Sequence, residues 1–546
     1  MKTRPEALRA IESRSFDVCV IGAGATGAGC ALDAQLRGLQ TVLLDAGDFA
    51  GATSGASTKL VHGGVRYLQQ AVADFDLGQL QVVREALRER VLMLENAPYL
   101  AHRREFLVPC FSRYEVIYYA LGLKLYDWFA GNARLAKSRV LTRPQATDLC
   151  PTLKSDRVCG AVAYQDGQFD DARYGITLVR TFTDAGGEAV NYLRVVGFEK
   201  DAGGRIAAAI VEDSFTAVRS SIHARAFVNA TGPFSDHVRS LATPGAPSRL
   251  VLSKGVHILL PIVGDGTTAL IIPKTEDGRV IFAIPWLGRL LVGTTDQEVP
   301  VDEELKVTNE EAEYLLRHLN RYSTVQYSVD DIVSAFCGVR PLVRAKHARQ
   351  TKKLIREHEV EADESSGLIS ILGGKWTTYR AMAEDTIDVV QKQLGLNQAS
   401  STSQHRLAGV LGYHPDDWRL LASEHSLSEP TAKHLLEKFG GEAPAVLALA
   451  VENPELKSPI VTGATMIQVE IVYCARQEMS LTIEDVLARR IGLQLFSMQL
   501  SMGAAPVVAT YLARELGWSS NEKDRAVREY VNNLEHKLRL LRTASA

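Results

Sequence analysis

Residues 17–45 read DVCVIGAGATGAGCALDAQLRGLQTVLLD, and this stretch decides how the chain begins to fold. An apolar run is followed by the spacing G-x-G-x-x-G, a helical pattern and a second apolar run that ends in an acid, Asp45. Gly22, Gly24 and Gly27 permit a tight turn, close backbone approach to a pyrophosphate and close packing of helix on strand. The pyrophosphate would lie at the helix N-terminus, with Asp45 on a ribose hydroxyl. The stretch therefore predicts a dinucleotide-binding βαβ unit.

Length, charge and cysteine content narrow the class of protein. A chain of 546 residues exceeds what one hydrophobic core usually supports, so two or three domains are expected. The near-balanced charge of −3 gives no reason to expect a nucleic-acid partner, and small molecules are expected instead. The seven cysteines are scattered and lack C-x-x-C spacing, which argues against metal sites and disulfide frameworks. A reducing cytosol fits this cysteine usage best.

The chain shows no pattern for secretion or for a spanning helix. Its first residues, MKTRPEALRAIESRS, carry acids and lack an apolar centre, and no later run reaches the roughly 18 apolar residues that span a bilayer. Residues 114–129 (YEVIYYALGLKLYDWF) have helical length and are apolar around most of the circumference. This pattern is typical either of a buried helix or of one that lies in a membrane interface.

Other segments predict the remaining organisation. Residues 51–68 are rich in small and hydroxyl side chains, as in a loop around a cofactor. Apolar runs between 250 and 296 alternate with Gly, Pro and Asp, which predicts an antiparallel sheet and a floor for the substrate. A strand at 369–374 and a helix at 377–394 complete the nucleotide fold. From about residue 416 the pattern is helical almost throughout.

These segments predict an α/β + α fold of two main domains. The nucleotide-binding domain is expected to span residues 1–400, with interleaved capping segments at roughly 100–165 and 250–345. A linker at 398–404 is expected to lead into a C-terminal helical domain at 401–546.

Two more turns at strand ends favour FAD over a dissociable nicotinamide. Thr231 and Gly232 lie in Ala-Thr-Gly-Pro, and Gly374 lies in Gly-Gly-Lys. Such small backbones would allow close approach to a second part of an extended cofactor, as an embedded flavin requires.

Five polar side chains form a candidate substrate cluster that apolar packing would not demand: Arg66, Tyr67, His257, Arg340 and Lys375. Arginine and lysine in turns can clamp a phosphate or carboxylate through charge-assisted hydrogen bonds. His257 could accept a hydroxyl proton while a hydride leaves the same carbon. The alternatives are a solvated arginine and a satisfied core histidine.

Seven stretches together resemble the FAD-dependent glycerol-3-phosphate dehydrogenases of the aerobic, quinone-reducing type. They are IGAGATGAG from Ile21, STKLVHGGVRYL from Ser57, VNATGP from Val228, SKGVHILLP from Ser253, LVGTTD from Leu291, FCGVRPL from Phe336 and LGGKWTTYR from Leu372. The resemblance runs nearly end to end. It implies a glutathione-reductase-type FAD-binding Rossmann domain, an antiparallel substrate-capping domain and a C-terminal all-α domain.

The resemblance also implies site residues. The cofactor would be held by Gly22, Gly24, Gly27, Asp45, Ser54, Ser57, Thr58, Lys59, Thr231, Gly232, Gly374 and Thr377. The substrate would be held by Arg66, Tyr67, Arg340, Lys375 and, on a looser local match, Arg356. Arg340 and Lys375 would also take part in catalysis, with His257 as a candidate base, although lysine or a bound water could take that proton instead.

The implied reaction is oxidation of sn-glycerol 3-phosphate to dihydroxyacetone phosphate, with hydride passing from C2 to flavin N5. The electrons would go to ubiquinone or menaquinone from a peripheral position on the inner face of the cytoplasmic membrane, with 114–129 as a possible contact and a homodimer possible.

Four alternatives remain open. An oxidase on the same scaffold would send electrons to O2 and release H2O2. A multi-subunit anaerobic relative is disfavoured because the C-terminal region lacks cysteine clusters. An amine or amino-acid oxidase would leave the phosphate-clamping cations without a purpose, and a non-catalytic FAD-binding redox sensor would not need them.

Overall fold

The computed structural model describes residues 1–64, 77–264, 266–300, 305–344 and 358–543. Its strands, in chain order, are β1 Phe16–Ile21, β2 Thr41–Leu44, β3 Leu60–Val61, β4 Ala101–Cys110, β5 Arg139–Thr142, β6 Gly160–Phe169, β7 Glu188–Val190, β8 Leu193–Lys200, β9 Ile206–Asp213, β10 Arg219–Asn229, β11 Leu250–Pro261, β12 Thr268–Ile272, β13 Ile281–Trp286, β14 Arg289–Gly293, β15 Gln297–Val299, β16 Ser334–Val343, β17 His358–Ala362 and β18 Leu368–Gly373.

Its α-helices are α1 Arg4–Glu12, α2 Ala25–Leu36, α3 Leu77–Asn96, α4 Arg113–Ala130, α5 Arg143–Leu149, α6 Asp171–Asp184, α7 Ser235–Ala242, α8 Asn309–Asn320, α9 Tyr379–Leu394, α10 Trp418–His425, α11 Glu429–Phe439, α12 Ala443–Ala448, α13 Val469–Gln477, α14 Leu493–Phe496, α15 Met498–Leu516 and α16 Ser520–Arg542. A π-helical segment, Asp485–Arg490, precedes α14.

The first sheet carries the βαβ unit predicted from residues 17–45. Its strands run in the order β17, β18, β10, β1, β2, β7, with β8 and β9 attached beside β10. β1 pairs in parallel with both β2 and β10, and the register places Ile21 beside Leu44 and Asn229. Parallel sheets are normally covered on both faces, which explains why β1 is apolar and buried at every position except Asp17. The carboxyl ends of these three strands therefore open together at one edge.

The second sheet is built from two separate stretches of chain. Its strands run β15, β11, β14, β13, β12, β4, β6, β3, with β16 paired to β11 and β5 to β6. Neighbours are antiparallel, as predicted, except that β12 pairs in parallel with β4. This pair joins the stretch near residue 100 to the stretch near residue 270, so no hairpin turn forces the strands to run in opposite directions.

The C-terminal helices contain two apolar cores of their own and reach the first sheet through buried charges. Leu435, Phe439 and Val446 centre one core, and Val486 and Val508 centre the other. Beside them, Arg490 donates to Asp48 Oδ1 at 2.9 Å, and Arg489 donates to Asp48 Oδ2 at 2.6 Å. Arg173 of α6 pairs with Glu478 at 2.6 Å. Both ion clusters are buried, so the helical region is held against the nucleotide domain.

These observations confirm the predicted fold class, a dinucleotide-binding α/β domain with a capping sheet and a C-terminal helical region. Residues 398–404, the predicted linker, are bonded to the nucleotide-binding domain. Ser400 donates to Asp33 Oδ1 at 2.6 Å, and Arg37 donates to the Gln398 carbonyl at 3.0 Å. Within the described ranges, no helix combines the length and the hydropathy that crossing a bilayer requires.

Candidate active site

The N-terminus of α2 meets the ends of the parallel strands in contacts that only glycine allows. Gly22 has φ +98°, and a Cβ at this position would lie 2.7 Å from the Ala230 carbonyl oxygen. A Cβ at Gly27 would lie 1.7 Å from the Gly22 carbonyl oxygen, and one at Gly24 would lie 2.9 Å from Ser54 Oγ. The spacing G-x-G-x-x-G therefore brings helix and strand together closely enough for a phosphate to reach the helix end.

Asp45 directly follows β2 and lies beside this helix terminus. Its Oδ2 accepts from the Ala23 N–H at 2.6 Å, and its Oδ1 accepts from the Gly47 N–H at 2.9 Å. Burial raises the pKa of the Asp45 carboxyl to about 6. Since each carboxylate oxygen has two lone pairs, both oxygens can still accept a ribose hydroxyl.

The loop that follows folds across the same edge and is fixed on three sides. Ser54 Oγ accepts from the Ala25 N–H at 2.8 Å, and the Ser54 carbonyl accepts from Trp376 Nε1 at 2.8 Å. Thr53 Oγ1 donates to the Val339 carbonyl at 2.7 Å. The loop therefore links α2 to the turn after β18 and to strand β16 of the second sheet.

A buried ion pair anchors the far end of this loop. Lys59 has φ +60° and is fully buried, and its ammonium pairs with Asp171 and donates to the Gly55 carbonyl at 2.9 Å. Asp171 Oδ2 also accepts from the Ser57 N–H at 2.8 Å. The Lys59 ammonium thus holds the loop, and its charge lies 5.1 Å from the centre of the Phe336 ring.

His257 and Arg340 lie on one face of the second sheet. In the antiparallel register, His257 of β11 pairs with Phe336 of β16, and Ser253 pairs with Arg340. Residues two apart on a strand share a face, so both functional side chains point the same way. The His257 and Phe336 rings stack, with centroids 4.8 Å apart and planes inclined by 12°. This face is the predicted substrate floor.

His257 connects this floor to the cofactor loop. Its Nε2 lies 2.9 Å from Thr58 Oγ1, whereas its Nδ1 is buried and has no hydrogen-bond partner among the described residues. Burial, with the positive charges of Arg340 and Lys59 nearby, holds the pKa of His257 well below its ordinary value of 6.5. The imidazole is therefore neutral at physiological pH.

Arg340 is oriented by polar groups at the end of β14. Its Nη2 donates to Thr294 Oγ1 at 3.0 Å, and its Nη1 lies 3.5 Å from Asp296 Oδ1. A Cβ at Gly255 would lie 2.5 Å from Arg340 Nη2, so the neighbouring strand leaves room for the guanidinium only because it carries glycine there. About a third of the side chain is exposed, so the guanidinium can be reached from solvent.

The remaining predicted residues lie in turns that follow β10 and β18. Thr231 Oγ1 donates to Asn229 Oδ1 at 2.7 Å, and Gly232 has φ +56°. Gly374 has φ +82°, and Thr377 Oγ1 accepts from the His62 N–H at 3.3 Å. Lys375, half-buried, stands between those two positions. Arg66, Tyr67 and Arg356 lie outside the described residues, so their assignment stays a prediction.

Several contributors to the site did not emerge from the sequence. Asp171, Phe336 and Thr294 act through contacts with residues far away in the chain. Phe336 and Thr294 lie in the quoted stretches FCGVRPL and LVGTTD, whereas Asp171 lies in none of the quoted stretches. His62 could have been selected, because it lies inside the motif STKLVHGGVRYL between two predicted site segments.

The nucleotide edge fits FAD. Ala28 makes the first intrahelical bond of α2, to the Gly24 carbonyl, so the N–H groups of residues 25–27 have no intrahelical acceptor. Ser54 Oγ accepts from the first of them, and the other two can meet a pyrophosphate. The glycines exclude side chains from that approach, Asp45 can take the ribose, and the Thr231 and Gly374 turns line the same strand ends. In the described part of the chain, no group of three His, Cys, Asp or Glu residues is arranged to hold a metal ion.

Comparison with known proteins gives consistent matches over the whole length. A family described as FAD dependent oxidoreductase matches residues 17–380, and one described as C-terminal domain of alpha-glycerophosphate oxidase matches residues 400–523. A mitochondrial glycerol-3-phosphate dehydrogenase of Arabidopsis thaliana is 36% identical, over 97% of this chain and 87% of that protein. A probable mitochondrial glycerol-3-phosphate dehydrogenase of Caenorhabditis elegans is 38% identical, over 96% and 74%. A solved glycerol-3-phosphate dehydrogenase from Bacillus halodurans, complexed with FAD, is 29% identical with a TM-score of 0.80, covering 100% of this chain and 99% of that one.

Proposed function

Because the chain belongs to the family of FAD-dependent glycerol-3-phosphate dehydrogenases, and is therefore a flavoprotein oxidoreductase, we propose that it oxidises sn-glycerol 3-phosphate to dihydroxyacetone phosphate and passes the electrons to ubiquinone or menaquinone. Bound FAD supplies the two-electron acceptor. The observation that carries the proposal is the shared face of His257 and Arg340, which the Thr58 contact joins to the nucleotide edge.

The two side chains suit two groups of the substrate, its phosphate and its C2 hydroxyl. Arg340 is a partly exposed cation, and a guanidinium binds a phosphate or an oxyanion through charge-assisted hydrogen bonds. Lys375, with Arg66, Tyr67 and Arg356, is proposed to complete this anion clamp. Their combined charge would orient the three-carbon substrate with its C2 hydroxyl toward the imidazole.

His257 is proposed to take the C2 hydroxyl proton. A neutral imidazole can accept a proton, and a buried position excludes the water that would compete for it. Thr58 Oγ1 lies within hydrogen-bond distance of Nε2, so the threonine hydroxyl can hold the imidazole in place or relay the proton.

The proposed site of quinone reduction is the inner face of the cytoplasmic membrane, with α4 as the contact. Five large apolar side chains on its outer face are exposed, namely Tyr114, Ile117, Tyr118, Leu121 and Trp128. Spacings of three, four and seven residues place the first four on one side of a helix. Four exposed cations on or after the helix suit anionic headgroups, namely Arg113, Lys124, Arg134 and Lys137. This arrangement is typical of a helix that lies in a membrane interface.

A second candidate function is an oxidase that passes the electrons to O2 and releases H2O2. It is favoured by the match of residues 400–523 to the C-terminal domain of alpha-glycerophosphate oxidase. The substrate oxidation would be the same, and only the acceptor would differ.

Anaerobic flavin reduction tests the proposal. The purified yellow protein is mixed with glycerol 3-phosphate without oxygen, and the flavin absorbance is followed before a soluble quinone or air is added. Bleaching that quinone reverses promptly and air reverses slowly is expected for the dehydrogenase. Prompt recovery in air with stoichiometric H2O2 would support the oxidase, and no bleaching of intact FAD would contradict both.

A further inference from the structure

Thr58 is the hydrogen-bond partner of the proposed base, His257. Its Oγ1 lies 2.9 Å from His257 Nε2, while the other ring nitrogen, Nδ1, is buried without a hydrogen-bond partner among the described residues. Thr58 lies in a loop, so no strand ladder or helix fixes its backbone. Apart from the stacking on Phe336, the orientation of the imidazole therefore depends on where this loop places Thr58.

Asp171 holds the residues on both sides of Thr58. Its Oδ2 accepts from the Ser57 N–H at 2.8 Å, and its Oδ1 pairs with the Lys59 ammonium. That ammonium also donates to the Gly55 carbonyl at 2.9 Å, so the ion pair closes the loop on itself. One carboxylate, at the first residue of α6, therefore fixes both neighbours of Thr58 in the chain.

The loop requires such an anchor because Lys59 has a strained backbone conformation. Its φ of +60° lies in the left-handed region, which a residue with a Cβ keeps only where the surrounding contacts impose it. The side chain is completely buried, and Asp171 supplies the charge that compensates its ammonium. Without this carboxylate the lysine would be an uncompensated buried cation. We therefore expect Lys59 to move when Asp171 is replaced, and the loop to move with it.

The preceding residue, Asp170, has the same chemistry but holds a different part of the molecule. It caps α6 by accepting from the Arg173 N–H at 3.2 Å, and its second oxygen pairs with the Lys438 ammonium of α11. Both carboxylates thus have a lysine partner and lie mostly out of solvent. In the described part of the chain, the hydrogen bonds to the loop come from Asp171.

We infer that Asp171 is a positioning residue for the proposed proton transfer: through Ser57 and Lys59 it fixes Thr58, and through Thr58 it orients His257. The inference rests on the proposed role of His257 as the base. A residue that acts through Thr58 has no further effect once the Thr58 hydroxyl is removed, which separates positioning from general support of the loop.

Substrate affinity should depend little on Asp171. The proposed phosphate ligand Arg340 donates to Thr294 Oγ1 at 3.0 Å and to the Thr295 carbonyl at 3.4 Å, and both groups lie outside the loop. The expected effect of Asp171 is therefore on the rate of flavin reduction and not on the Kd for glycerol 3-phosphate.

The Asp171→Asn variant tests the role, with Asp170→Asn as the matched control. Asparagine replaces one carboxylate oxygen by an NH2 group, which accepts no hydrogen bond, so one of the two contacts is lost. Anaerobic stopped-flow reduction with excess FAD gives the limiting rate and the Kd for glycerol 3-phosphate. We expect Asp171→Asn to lower the limiting rate at least tenfold with a Kd within threefold, and Asp170→Asn to change neither by more than twofold. A limiting rate within twofold of wild type in Asp171→Asn would overturn the inference.

A double-mutant cycle with Thr58→Val identifies the route by which Asp171 acts. Valine has nearly the shape of threonine and lacks the hydroxyl that contacts His257. We expect each single change to slow flavin reduction at least tenfold, and Asp171→Asn to slow it less than twofold further in the Thr58→Val background. Losses that multiply in the double variant would show that Asp171 acts by another route and would contradict the inference.

A second variant keeps the test decisive if a lone buried charge prevents folding. Lys59→Met with Asp171→Leu removes both charges, and apolar residues of similar volume often replace a buried ion pair without loss of stability. The urea midpoint should therefore stay close to that of wild type while the limiting rate still falls at least tenfold. A stable double variant that reduces its flavin at the wild-type rate would overturn the inference.

Hydrogen–deuterium exchange reports on the loop without turnover. The Ser57 N–H should exchange at least tenfold faster in the Lys59→Met, Asp171→Leu variant, which leaves it without its acceptor, and at the wild-type rate in Asp170→Asn. Equal protection in all three proteins would contradict the anchoring of the loop by Asp171. Absence of flavin reduction in the wild-type protein would contradict the proposed function, and the role in proton transfer with it, while the exchange of this N–H still decides whether Asp171 fixes the loop.

Discussion

At the scale of single residues, Arg340 gives the most direct test of the proposed substrate site. Arg340→Ala removes the cation held by Thr294 and Asp296, so kcat/KM for glycerol 3-phosphate should fall at least about 100-fold, or about 2.7 kcal/mol of transition-state stabilisation. FAD content should not change, because the nucleotide edge lies on the first sheet. Arg344→Ala, one residue beyond β16 and exposed, is the control with an expected change below twofold. Unchanged kinetics in Arg340→Ala would contradict the assignment of Arg340 to the substrate site.

Asp45 makes a second prediction, on the pH dependence of cofactor binding. Its pKa is raised to about 6, and the ionised form is the one that accepts two ribose hydroxyls. Protonation therefore competes with FAD, so affinity is complete above about pH 7 and falls as the pH drops below 6, toward tenfold per unit. Titration of FAD into apoprotein, followed by flavin fluorescence, measures this.

Two variants distinguish titration of Asp45 from a non-specific effect of low pH on FAD binding. Asp45→Asn should bind FAD more weakly at every pH and lose the dependence near pH 6, whereas the exposed Glu424→Gln should retain it. A dependence that persists in Asp45→Asn would assign it to another group.

The low pKa of His257 predicts that the pH–rate profile has no inflection from this residue. Its pKa lies well below 6.5, so the imidazole does not change its charge over the pH range around 6.5. His257→Gln should lower the rate of flavin reduction at least about tenfold and leave every inflection of the profile in place. The exposed His223→Gln should change neither. Loss of an inflection near pH 6.5 in His257→Gln, seen by stopped flow across the range, would show that the buried imidazole titrates there.

At the scale of elements, α4 shows where sequence patterns stop being decisive. Residues 114–129 are apolar around most of the helix, and burial and interface contact predict the same composition. The fold resolves this by packing Leu123 and Tyr126 inward and leaving Ile117 and Leu121 exposed. The βαβ unit, by contrast, was predicted correctly because its glycine spacing, helix and acid are all local in sequence.

The exposed side of α4 supplies the prediction at this scale. Replacing Ile117 and Leu121 together by Glu removes two apolar contacts and adds two charges that anionic headgroups repel, so partition onto phosphatidylglycerol vesicles should fall at least about tenfold. Flavin reduction in solution should stay within twofold. Leu411→Glu, which changes an apolar residue that is 94% exposed in the C-terminal region, is the control. Vesicle binding equal to that of wild type in a co-sedimentation assay would exclude α4 as the contact.

At the scale of the whole molecule, the contacts that assemble the site join distant parts of the chain. Thr58 and His257 are 199 residues apart, and Asp48 and Arg490 are 442 apart. Composition and periodicity describe one segment at a time, so they predicted the two sheets and the helical region and could not predict which side chains meet. Family resemblance supplied residue roles, yet it gave no sign that Lys59 would be held by Asp171.

The ion cluster around Asp48 predicts that the C-terminal helices stabilise the nucleotide edge. Asp48 lies three residues after Asp45, and Arg490 and Asp48 are both buried. Arg490→Met therefore removes part of the positive charge that compensates the buried Asp48 carboxylate. Breaking a buried pair from one side costs about 3 kcal/mol, and we expect the urea midpoint and the FAD affinity to fall together.

Asp48→Asn with Arg490→Met removes both charges, so the double variant should lose less stability than the two single losses added. The exposed Arg539→Gln should lose nothing measurable. Additive losses in the cycle would mean that Arg490 and Asp48 contribute independently, and that the helical region does not act on the cofactor edge through this pair.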